Sequence, residues 1–172
     1  YLIEDFAGIS VDVEASSEYI YRKTTTDSST LVIGVSQSGE TADTITAIKQ
    51  ARAKNSHVLI ITNRPDSNMA RLADSLIPVN AGIEVSVAAT KSYTAQLISF
   101  YLLAIHLAEI KGSLDNSYLK NIKHELIQLP TKIEEVLSNT SEIQECARKF
   151  SSYKNFIYIA RGVNLATAYE GA

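Results

Sequence analysis

Ser36, Gln37, Ser38, Gly39, Glu40 and Thr41 stand in a row between an apolar run and a helical pattern. Three hydroxyls and a side-chain amide can all donate hydrogen bonds to an oxyanion, and Gly39 adds backbone with no side chain in the way. A Ser/Gly loop that carries a strand into a helix also presents unpaired N–H groups and the positive end of the helix dipole. The plainer reading makes Ser38 a helix cap. That uses one hydroxyl and leaves Ser36, Thr41 and Gly39 unexplained. The pattern points instead to one phosphate group of a small phosphorylated metabolite.

Other chemistries fit less well. Gly34 and Gly39 give half of a nucleotide P-loop, but Glu40 and Thr41 occupy the places where that loop needs Lys and then Ser or Thr. Without the lysine, and with Glu40 repelling any polyphosphate it faced, a monoester is the better ligand. No GxGxxG occurs, which argues against a dinucleotide. His57, His106 and His124 lie far apart, with no carboxylate or thiol at metal-ligand spacing. His106 falls in an apolar helix and reads as a packed histidine. Cys146, the lone cysteine, lies in the helical pattern "SEIQECARKF" and reads as a buried filler. It cannot form an internal disulfide, which suits a reducing compartment. In "AGIEVSVAATKSYTAQ", Gly82, Glu84 and Lys91 interrupt an apolar stretch; the composition fits a loop with Thr90 as helix cap.

The elements that must hold the hydroxyl cluster alternate in type. "YLIEDFAG" is a short helix stopped by Gly8, "SVDVE" a short alternating strand and "SSEYIYRK" a short helix. "STLVIGVS" is a buried strand, followed by the helix "TADTITAIKQARAK", whose Lys49, Arg52 and Lys54 collect at its C-terminal end. "HVLIITN" is the next strand, "SNMARLAD" a helix capped by Ser67, and "SLIPV" a third strand. This alternation predicts an α/β fold with a parallel sheet. Right-handed crossovers then put residues 36–41 at the C-terminal edge of the strands, where open α/β sheets bind ligands. Beyond Thr90 the pattern is helical: a long Leu-rich helix to Gly112, then "DNSYLKNIKHELIQL", "PTKIEEVLS" with Pro130 just inside its start, and "SEIQECARKF". "NFIYIARG" reads as the first strand of a second α/β unit. The expected organisation is residues 1–112 as a first unit, 113–150 as linking helices and 151–172 as the start of a second unit.

Composition sets wide bounds. Of 172 residues, 45% are apolar, enough for a packed core, and the net charge of −3 gives no electrostatic footprint for nucleic acid. The run "LISFYLLAIHLA" falls short of the ~18 residues of a membrane span. No signal peptide opens the chain, and both ends read as cut from a longer protein, so a soluble, cytoplasmic fragment is expected.

"SQSGETADT", "ITNRPDSNMARLAD", "AGIEVSVAATKSYTAQ" and "ARGVNLATAYEGA" follow one another in an order that resembles the sugar isomerase (SIS) domain family. Within it, nearly the whole chain is similar to the isomerase half of the glutamine–fructose-6-phosphate aminotransferase family, and "VEASSEYIYRK" fits the same likeness. The resemblance implies a three-layer α/β/α fold, two SIS units per isomerase half, a hexose 6-phosphate at the first unit and a homodimer. From the residues, no metal, cofactor, nucleic-acid or membrane partner is expected. Ser36, Gln37, Ser38 and Thr41 match the family's phosphate-binding positions; Val87 and Ala89 match a loop that touches the sugar. Glu170 matches the first acidic residue of a catalytic helix whose lysine and glutamate would follow Ala172, so the fragment would bind without catalysing. The family implies that ammonia from glutamine meets fructose 6-phosphate and that a carboxylate shuttles a proton between C1 and C2. Ala89 stands where the synthase has serine, and "VAATK" is common among related SIS proteins that deglycate or deaminate aminosugar phosphates. A deglycase or deaminase therefore stays open, as does a non-enzymatic SIS domain that senses a phosphosugar.

Overall fold

A computed structural model describes residues 1–85 and 88–172. Three parallel strands form the sheet in the order β1 (Leu31–Ser36), β2 (His57–Thr62), β3 (Ser75–Pro78). Ser36 pairs with Thr62 and Thr62 with Pro78, so the three strands end level at one edge. Each crossover contains a helix: α3 (Ala42–Ala53) joins β1 to β2, and α4 (Asn68–Arg71) joins β2 to β3. Before the sheet come α1 (Leu2–Ala7), stopped by left-handed Gly8, and α2 (Ser16–Tyr19).

β2 is the central strand, which explains its unbroken apolar sequence. Val58, Ile60 and Ile61 are fully buried, and alternation sends them to both faces. Val58 and Ile60 pack with Ile48 and Ala51 of α3 and Met69 of α4. Gly34 in β1 makes room for that cluster. A Cβ there would come 2.7 Å from Ile60 Cδ1 and 2.9 Å from Ile48 Cδ1. The glycine that suggested half a P-loop serves core packing.

α5 (Lys91–Lys111) lies against β2 and α1 and forms a second cluster, in which Ala104, Ile105 and Ala108 bury Phe6 and Leu119. Helices on both faces of the sheet give the three layers expected. The uninterrupted apolar run in α5 is short, but the 21-residue helix contains an 18-residue stretch long and apolar enough to cross a membrane. His106 on it is exposed and 4.0 Å from the Glu109 carboxylate, rather than packed.

Further expectations need correcting. Residues 10–14 form no strand, because no neighbouring strand offers them a ladder, and Val11 N–H donates to Glu4 instead. Residues 155–161 likewise pair with nothing among the described residues, and Ile157 and Ile159 are about nine-tenths exposed (86% and 91%). Pro130 does not open a helix. It sits inside α6 (Asn116–Ser138), which runs through it as one element. α7 (Ser141–Phe150) and α8 (Asn164–Gly171) complete the chain. Cys146, expected as a buried filler, is exposed on α7 and lines an open apolar groove with Ile143, Phe150 and Phe156 that no element among the described residues covers.

Candidate functional site

The loop of residues 37–41 leaves β1 at the level edge of the sheet and enters α3. Thr41 is the residue before the helix, yet its hydroxyl does not turn back onto the first turn. It lies 3.0 Å from Ser36 Oγ, which also accepts from Gly39 N–H at 3.1 Å. Ser38 Oγ accepts from Glu40 N–H at 3.2 Å and caps nothing in α3. The first amides of α3 therefore stand beside a hydroxyl pair at a position that carries helix-dipole positive charge. Ser36 and Gln37 are half-buried, whereas Ser38 and Thr41 are exposed.

Gly39 has φ +66, in the left-handed region, and a Cβ there would sit 2.1 Å from Ser67 Oγ. Its carbonyl accepts from Met69 N–H at 3.1 Å. The glycine thus lets the loop press against the start of α4, where Ser67 Oγ accepts from Ala70 N–H as the cap expected. Glu40 points the same way. Its two oxygens accept from Asn68 N–H (2.9 Å) and Asn68 Nδ2 (2.6 Å), and these bonds, with Arg71 and Arg64 nearby, hold its carboxyl below the usual range. Glu40 is an ionised clamp on α4, and its oxygens are engaged away from the Ser36–Thr41 pair.

Two residues missed at the sequence level join this loop to the next. Thr62 Oγ1 donates to the Gln37 carbonyl (3.3 Å), and Asn63 N–H donates to the same oxygen (3.2 Å). The Asn63 side chain crosses to the loop after β3, accepting from Ala81 N–H at 2.8 Å and donating to the Gly82 carbonyl at 2.7 Å. An Asn just past a strand end was the available signal, since its short amide bonds backbone readily.

Glu84 continues the chain of bonds. Its carboxylate accepts from the amides of Thr90 (3.2 Å), Lys91 (3.0 Å) and Ser92 (3.4 Å) and from the hydroxyls of Thr90 (3.0 Å) and Ser92. Thr90 precedes α5 but does not cap it with its side chain. Glu84 is the cap, and these donors, led by Ser92 Oγ, lower its pKa to about 2. The N-terminus of α5 is thus already occupied by an anion. Ala89 is half-buried just before it, and Val87 lies outside the described residues. Glu170 is exposed in the last turn of α8, one turn beyond Thr167, whose hydroxyl is 3.3 Å from Tyr93 Oη in the first turn of α5. The described residues include no group of His, Cys, Asp and Glu able to hold a metal ion.

The SIS domain family matches residues 1–106. The chain belongs to that family. Over its full length it is 47% identical to a glutamine–fructose-6-phosphate aminotransferase (isomerizing) of Gloeobacter violaceus and 42% identical to one of Clostridium acetobutylicum, spanning 28% of each. The C-terminal domain of glucosamine-fructose-6-phosphate aminotransferase from Francisella tularensis superposes with a TM-score of 0.94 at 31% identity, over 99% of this chain and 49% of that one. The three-layer fold expected from the sequence is thereby established for the SIS portion.

Proposed function

We propose that this chain is the phosphosugar-binding first SIS unit of a glutamine–fructose-6-phosphate aminotransferase, a protein that makes glucosamine 6-phosphate and glutamate from fructose 6-phosphate and glutamine. Ser36, Gln37, Ser38 and Thr41 hold the phosphate; Val87 and Ala89 lie along the sugar; Glu170 assists the proton transfer. The observation that carries the reading is the Ser36–Thr41 hydroxyl pair beside the first turn of α3, at the level edge of the sheet. A dianionic phosphate accepts from these hydroxyls and the helix amides together, and charge-assisted bonds of this kind are about twice as strong as neutral ones. Glu40 is held on Asn68 and does not oppose the anion. The relatives at 42–47% identity support the aminotransferase assignment. Ala89 is the one feature that favours a deglycase or deaminase of the same fold. The working protein is cytoplasmic and homodimeric, with α5 a core helix rather than a membrane span.

The test is thermal unfolding with fructose 6-phosphate, glucosamine 6-phosphate and unphosphorylated fructose, on wild type and Ser36→Ala/Ser38→Ala. Ligand at about 100 times its Kd stabilises by about 2.7 kcal/mol. A shift of several degrees with the phosphorylated sugars alone, abolished in the double variant, is the expected result. An equal response to fructose, or none to any sugar, would overturn the reading.

A further inference from the structure

Asn63 belongs to none of the residues assigned to phosphate or sugar, yet its N–H and both ends of its side-chain amide are engaged between them. Its N–H fixes the Gln37 carbonyl in the hydroxyl loop. Its side chain accepts from Ala81 N–H and donates to the Gly82 carbonyl in the segment after β3. Glu84, two residues further, clamps that segment to the first turn of α5. Hydrogen bonds therefore lead from Gln37 through Asn63 to Ala81 and Gly82, and two residues along the chain a second set leads from Glu84 to α5. Asn63 is half-buried, and β2 fixes its backbone. A planar amide with one donor and one acceptor aimed at adjacent peptide groups holds a single loop geometry.

We infer that Asn63 is a positioning residue that sets the distance between the phosphate loop and the sugar loop, so that the site selects a phosphosugar over bare phosphate. The inference rests on the phosphosugar reading above. Inorganic phosphate needs only the loop of residues 36–41, and the backbone bond from Asn63 to Gln37 survives any side-chain change. A hexose phosphate must meet both loops at once. Loss of the Asn63 side chain releases Ala81 and Gly82 and leaves the phosphate loop tied.

The experiment compares inorganic phosphate and fructose 6-phosphate by thermal-shift titration on residues 1–172, in wild type, Asn63→Ala and Asn63→Asp. Asn63→Asp keeps the acceptor for Ala81 N–H but sets a carboxylate oxygen against the Gly82 carbonyl. Both variants are expected to bind inorganic phosphate like wild type and fructose 6-phosphate about 10-fold more weakly, within the usual range of a coupling between sites. Hydrogen exchange on wild type supplies a second readout: saturating phosphate should slow exchange at the Ala81 amide, because the line of bonds tightens from its other end. Unchanged sugar-phosphate preference in folded variants overturns the inference and leaves the phosphosugar reading standing. If the variants do not fold, an Ala81 amide indifferent to phosphate overturns it, and one that is protected supports it. Wild type that binds neither ligand overturns the underlying reading and the inference with it.

Discussion

Gly39 and Glu84 show how single residues shape the edge of the sheet. Gly39→Ala forces a Cβ into left-handed backbone and against Ser67, so it should destabilise the fold by about 2–4 kcal/mol, read from urea denaturation. Glu84 makes a pH-dependent contribution. Its carboxyl titrates at about 2 in the folded chain against an ordinary value of 4.5, so it binds protons less readily when folded. The stability it supplies is complete above pH 4.5 and is lost as pH falls towards 2. Wild type should exceed Glu84→Gln in denaturation midpoint at pH 7, and the gap should narrow by pH 3; a constant gap would mean the charge does not matter. The hydroxyl cluster was legible from residue types alone. The roles of Asn63 and Glu84 were not, because each bonds backbone that only the folded chain brings near. The packing roles of Gly34 and Gly39 were hidden for the same reason: the neighbours that exclude a Cβ come from β2, α3 and the start of α4.

At the scale of elements, the alternation of strand and helix identified β1, α3, β2, α4 and β3, since buried parallel strands have a strong apolar signature. It failed where an apolar segment lacks a partner. Residues 10–14 and 155–161 have the side chains of strands and no ladder to join. It failed differently at Pro130. Proline suits the first turn of a helix, yet α6 continues through it, leaving no N–H at position 130 for the Leu126 carbonyl. Pro130→Ala should restore that bond and stabilise the C-terminal half of α6 by about 2–3 kcal/mol, visible as slower hydrogen exchange at residues 131–137. Unaltered exchange there would show that the second half frays regardless of the proline.

At the scale of the whole molecule, the described residues form two apolar clusters, one between the sheet, α3 and α4 and one between α1, α5 and α6, with much apolar surface left open. Ile110 on α5 and Ile127 on α6 are each about 70% exposed (70% and 73%). Exposed large apolar side chains favour association when they cluster into a patch. Sedimentation should show a dimer of residues 1–172 at high concentration, and a strict monomer would count against self-association by this unit. The unpaired stretch Phe156–Ile159 has a second consequence, colloidal rather than structural. Short uncharged segments with aromatic and β-branched side chains are templates for cross-β growth between chains. Here Lys154 and Arg161 flank the segment and act as electrostatic gatekeepers. Their mutual repulsion between approaching molecules is screened at high ionic strength. The shelf life of a concentrated sample should therefore shorten as salt is added, which light scattering over time would read.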